Sequence, residues 1–238
     1  MANITGTSGI DVIDGTADAD IIEAGDGNDK VTSGAGNDIV RLGAGNDWVN
    51  GGTGDDQLFG GIGNDTLTGD AGNDQLFGED GNDGFFGGGG DDKIWGGAGN
   101  DVMYGDGAND QLDGGANVDK LYGGAGNDTL TGGTGNDLLS GDAGNDTFII
   151  RAGEGTDTIV GGLGVDSLVF DLSTADMTPA LIAELKTYDA WSKGQLASVG
   201  GDMNVLAAQA TSSTFTFASL GVTEIGRASC RERVYVLV

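Results

Sequence analysis

The chain has 238 residues, among them 49 glycines, one proline, one cysteine and no histidine. Its formal net charge of −28 argues against nucleic acid or an anionic membrane surface as a partner and points to cations. Without histidine there is no His-based catalytic triad, no imidazole general base and no His-ligated zinc.

The first residues, MANITGTSGIDV, carry neither a basic region nor an apolar core, so a cleaved secretory signal is not expected there. No apolar run is long enough to span a bilayer. The single Cys230 excludes an internal disulfide.

From Gly6 to Ile149 the chain repeats every nine residues, in sixteen units without insertion. Position six is aspartate each time: Asp11, Asp20, Asp29, Asp38, Asp47, Asp56, Asp65, Asp74, Asp83, Asp92, Asp101, Asp110, Asp119, Asp128, Asp137 and Asp146. Position eight is always apolar, from Ile13 and Ile22 through Leu67 to Leu139 and Phe148. Position four is glycine except at Asp18, Ala108 and Asn117. Ile150 and Arg151 interrupt the register, and two further units follow with Asp157 and Asp166. A Gly/Asn/Asp-rich disordered tract is the bland alternative, but disorder gives no reason for an apolar residue at every ninth position.

The pattern resembles the GGxGxDxUx nonapeptide of the RTX (hemolysin-type) calcium-binding proteins, over residues 6 to 169. The expected fold is all-β: a right-handed parallel β-roll, a solenoid of two sheets with eighteen residues per coil. Glycine and asparagine tolerate positive φ, so GGxGN suits a tight turn. Triplets such as TLT or QLF then form very short strands. Eight coils stacked about 4.8 Å apart give a rod of roughly 40 Å.

In this stacking Asp47 approaches Asp65 and Asp83 along one edge, and Asp56 approaches Asp74 and Asp92 along the other. Carboxylates about 5 Å apart repel by just under 1 kcal/mol in water and by several times that in partly dry protein. A divalent cation between turns reverses that sign. The donors are hard oxygens on a flexible loop, which suits calcium better than magnesium, zinc or copper.

The resemblance implies on the order of a dozen Ca2+ ions, each held between turn n and turn n+2 by aspartate carboxylates and by carbonyls near positions two and four. The implied metal-binding residues are Asp29, Asp38, Asp47, Asp56, Asp65, Asp74, Asp83, Asp92, Asp101, Asp110, Asp119, Asp128, Asp137 and Asp146. With them come Gly34, Gly36, Gly43, Gly45, Gly52, Gly54, Gly61, Gly63, Gly97, Gly99, Gly124, Gly126, Gly133 and Gly135. Repeats 1 and 2, GTSGIDVID and GTADADIIE, read as a degenerate starting cap. Ala108, Asn117 and Val118 are expected to weaken repeats 12 and 13.

Position nine holds two aromatic rows, Phe59, Phe77 and Trp95, and Phe86, Tyr104 and Tyr122. They are expected to stack across strands, with a sugar- or partner-binding strip as the functional alternative. Threonine arrays like those of ice-binding rolls are not expected, because Thr66, Thr68, Thr129, Thr131 and Thr147 form no long rows.

The domains read as a calcium-binding roll (1–169), a C-terminal cap (170–223) and an appended segment (224–238). In the cap, TPALIAELKTYDAWSKG predicts an amphipathic helix over about 179–192, with Thr178 as N-cap, Pro179 at the first helical position and Gly194 at its end. It would cover the open end of the roll, as repeat arrays require. FTFASLGV (215–222) alternates like a further strand. Residues 224–234, EIGRASCRERV, read as the translation of a sequencing adapter, so the native end is expected to be lost.

The resemblance further implies a secreted, extracellular protein, exported by a type I machinery and folded by extracellular calcium. No HExxH or GxSxG motif is present, so no catalytic residue is expected in this chain. The alternatives are the C-terminal module of a larger secreted enzyme (protease, lipase or epimerase) or a surface adhesin whose aromatic rows contact glycans or cells.

Overall fold

Strand pairs in this chain lie eighteen residues apart because the sequence repeats itself at that interval. The computed structural model describes residues 1–151, 154–171, 224–226 and 233–237. Strands alternate between two all-parallel sheets. The first sheet has eleven strands, beginning with Asn3–Thr5, Ile21–Asp26, Ile39–Ala44 and Gln57–Ile62. The second has ten, beginning with Val12–Thr16, Lys30–Gly34, Trp48–Thr53 and Thr66–Ala71. Leu58 pairs with Leu76 and Leu67 with Phe85, in unbroken register. The fold is the expected parallel β-solenoid.

Most strands are six residues long, not the three expected from the triplets. Pairing continues past position nine into positions one to three of the next unit, as Gly61 with Glu79 and Ile62 with Asp80. Alternation along the strand then turns both position eight and position one inward. Position eight supplies the buried column from Ile13 and Ile22 to Leu139 and Phe148. Position one adds Ala24 and Leu42, also fully buried, which a count of one apolar residue per unit overlooked. Ser33 stands there in one unit, fully buried, with its hydroxyl on the Gly51 carbonyl at 2.7 Å; from Gly51 to Gly141 position one is glycine and makes room for large neighbours. A Cβ on Gly78 would lie 2.7 Å from the Phe85 ring, and one on Gly96 would lie 2.5 Å from the Met103 methyl.

The insertion at Ile150 and Arg151 lengthens one coil to twenty residues. Ile150 is buried in the core. Arg151 pairs with Glu154 and with Asp171, its partner on the neighbouring strand. Strands Glu224–Gly226 and Arg233–Leu237 continue the second and first sheets. The predicted helix at 179–192 and strand at 215–222 lie outside the described residues. Among the described residues no helix is long and apolar enough to cross a membrane.

Candidate metal centre: two rows of aspartate turns

Each turn between the sheets carries one aspartate, and the eighteen-residue register lines these up along two edges. Nearly every polar atom of a body aspartate is used to tie coils together. Asp65 donates its N–H to Asp83 Oδ1 at 2.7 Å and accepts the Asp47 N–H on its own Oδ1 at 2.8 Å. Its backbone carbonyl accepts the Gly84 N–H at 2.9 Å. The same bonds link Asp56 to Asp74 and Asp74 to Asp92 on the other edge, each at 2.8 Å.

In the body turns from Asp29 to Asp146 one oxygen is left over. The Oδ2 atoms of fifteen aspartates, Asp29 through Asp146 at position six and then Asp166, are buried with no hydrogen-bond partner. A buried polar atom without a partner costs about 1–3 kcal/mol, and more when it is charged. Repetition of that cost in every body turn marks a missing positive partner.

Backbone oxygens converge on the same place. A Cβ built on Gly51 would lie 2.5 Å from Asp56 Oδ2 and 3.0 Å from the Gly69 carbonyl oxygen. At Gly60 the corresponding distances are 2.6 Å to Asp65 Oδ2 and 2.9 Å to the Gly78 carbonyl. Backbone carbonyls therefore lie close to the orphaned oxygens, and hard oxygen donors of this kind suit calcium. Among the described residues no three acidic side chains gather at a point, so carbonyls must complete the donor set. The residues fit calcium by the chemistry of their donors.

Electrostatics agree with this geometry. Burial pushes the Asp110 carboxyl up to about 8, and the neighbouring Asp92 and Asp128 add to the rise. Burial likewise raises Asp56, Asp83, Asp92, Asp119 and Asp146 to about 7, with nearby carboxylates contributing. Without a cation these rows resist full ionisation near neutral pH.

All the position-two and position-four glycines named from the sequence fall in these turns with positive φ. Gly45, at φ 149°, shows why: a side chain there would run into the Gly27 carbonyl of the coil before. Asp70, Glu79, Asp106 and Asp142 occupy position two in the same left-handed region, as do Ala108 and Asn117 at position four. Ala108 and Asn117 keep the regular turn bonds to the Ala125 and Thr134 carbonyls, each at 2.7 Å.

The sequence reading named carbonyls near positions two and four; the position-one carbonyls of Gly69 and Gly78 also lie close to the aspartate turns. The same reading was wrong at position five. The asparagines there do not adopt positive φ; their side chains form ladders. Asn64 N donates to Asn46 Oδ1 and Asn82 N to Asn64 Oδ1, both at 2.8 Å. On the other edge Asp55 and Asp91 alternate with Asn73 and Asn109, so each carboxylate sits between amides. The recurrence of Asn at position five was the available signal.

The aromatic rows stack face to face. Ring centroids are 4.8 Å apart for Phe59 and Phe77 and 4.5 Å for Phe77 and Trp95, with planes within 5°. Phe86, Tyr104 and Tyr122 follow at 5.3 and 5.0 Å. Arg41 lies over the Phe59 ring at 5.1 Å. Ring faces spent on one another and on Arg41 are closed to a sugar ring, which favours packing over ligand binding.

A two-sheet roll whose edge turns offer rows of unpartnered carboxylate oxygens is a repetitive cation-binding protein. The chain matches the RTX calcium-binding nonapeptide repeat (4 copies) in overlapping stretches that together run from residue 5 to residue 169. It belongs to that family, whose repeats bind calcium. No curated protein matches the chain.

Proposed function

We propose that this chain is a calcium-responsive folding module of an extracellular protein. In this reading it leaves the cell unfolded through a type I export machinery, at low cytosolic calcium, and coils into the roll when it meets extracellular calcium. The observation that carries the reading is the row of buried, partnerless Oδ2 atoms, repeated in every turn from Asp29 to Asp146. A ligand that binds the folded roll and not the unfolded chain stabilises it by mass action. Extracellular calcium modules work at about 10⁻⁴–10⁻³ M, and shared ligands between stacked turns make the transition steep. When bound, the ion supplies positive charge between coils. The chain's own residues hold the register, through the Asp Oδ1 bonds, and keep the turns open, through glycine at positions two and four.

Far-UV circular dichroism during a calcium titration tests this. The expected result is a cooperative gain of sheet signal, reversed by chelator. A sheet spectrum unchanged in excess chelator would overturn it.

A further inference from the structure

The first turn on each edge departs from all those that follow. Residues 6–11 read GTSGID and residues 15–20 read GTADAD, so position two is threonine. Thr7 donates its backbone N–H to Asp11 Oδ2 at 2.6 Å and its hydroxyl to the same atom at 2.9 Å. Thr16 treats Asp20 Oδ2 identically, at 2.8 and 2.7 Å. The oxygen that is orphaned in the turns from Asp29 to Asp146 is therefore doubly satisfied here. Asp20 Oδ1 is also bonded, to the Ala2 N–H at 2.6 Å. That bond, followed by the Thr16 hydroxyl, holds the Asp20 carboxyl below its ordinary range, against the effect of burial.

The cause lies in the residue type. Body turns hold position two in the left-handed region, as at Gly43 (φ 107°) and Gly52 (φ 94°). A β-branched residue is a genuine outlier there, and neither Thr7 nor Thr16 adopts positive φ. Threonine thus selects a different turn, in which the position-two N–H and hydroxyl both face the carboxylate. Those hydrogens occupy the side of Oδ2 that a cation would need.

We infer that Thr7 and Thr16 replace the cation in the first turn of each edge, so that the two rows of ions begin at Asp29 and Asp38. The inference rests on the reading of the body turns as calcium sites. The replacement lets these two turns close with donors of their own.

Native mass spectrometry of the full chain at saturating calcium counts bound ions. Thr7→Gly restores the sequence GGSGID and is expected to add one ion to the parent's number, while Thr7→Ser leaves the number unchanged. Within the parent background, Asp11→Asn leaves the count unchanged and Asp29→Asn lowers it. An unchanged count for Thr7→Gly, or an ion lost on Asp11→Asn, would overturn the inference. A parent chain that binds no calcium would instead overturn the reading of the body turns.

Discussion

The turn at Asp11, on one edge, and the turn at Asp56, on the other, share the same position-six residue, yet they meet the carboxylate in opposite ways. At Asp11 two donors from Thr7 satisfy Oδ2. At Asp56 the equivalent oxygen is buried without a partner. One residue at position two, threonine or glycine, separates a turn closed by the protein from a turn that needs an ion. Position one varies separately: Gly6 and Gly15 stand there in the first two units, Ala24, Ser33 and Leu42 in the next three, and glycine from Gly51 to Gly141. The early coils therefore draw more of their stability from apolar burial and hydroxyl bonds, and the body draws more from its edges.

The largest expected effect comes from truncating a central aspartate. Asp92→Ala removes the acceptor of the Asp74 N–H and a buried oxygen aimed at the site. It should cost about 3 kcal/mol or more in urea unfolding at saturating calcium. Asp11→Ala should cost about 1 kcal/mol, with the same value at high and low calcium. Equal losses at both sites would erase the contrast between cap and body.

Backbone strain comes next. Gly45→Ala places a methyl group against the Gly27 carbonyl at a φ of 149°, and about 2 kcal/mol should be lost. Ala108→Gly relieves a left-handed alanine at φ 87° and should raise stability by about 1 kcal/mol. Thermal unfolding of both variants checks the opposite signs.

Acidity should act on the body and on the cap in opposite directions. Folded pKa values of about 7 to 8 at Asp56, Asp92 and Asp110 stand above the unfolded carboxylate value of about 4. The ion-free fold then binds more protons than the unfolded chain between about pH 4 and 8, and its stability falls as pH rises through that window. Circular dichroism in calcium-free buffer should show more sheet at pH 5 than at pH 8. The Asp20 carboxyl, lowered by its hydrogen bonds, contributes the opposite slope, present above the unfolded pKa and lost on acidification.

The smallest effect is expected on the outer ladder. Asn82→Ala removes the acceptor of the Asn100 N–H on an exposed edge. It should cost about 1 kcal/mol without changing the calcium midpoint. A shifted midpoint would mean that the amide ladder helps to place the ion ligands.

The solenoid was legible because one period fixes everything coarse about it: eighteen residues per coil, aspartate at both edges, position eight inside. Features that depend on hydrogen-bond direction were not. Asp65 reads in sequence as a metal ligand only, yet one of its oxygens binds the Asp47 amide. Asn64 reads as a turn residue, yet it is a rung of a ladder. Thr7 and Thr16 were visible as departures from the repeat, but that their hydroxyls reach the carboxylate follows only from the backbone they select. Leu42 was missed because counting by nines hides the second inward position that continuous strand alternation creates.

The most direct measurement is an anomalous difference map from a crystal grown in abundant calcium. Peaks should lie about 2.3–2.6 Å from the Oδ2 atoms of Asp56, Asp74 and Asp92, with carbonyl oxygens completing the shell. Empty density or protein donors beside those oxygens would contradict the view that the ion is a structural part of the roll.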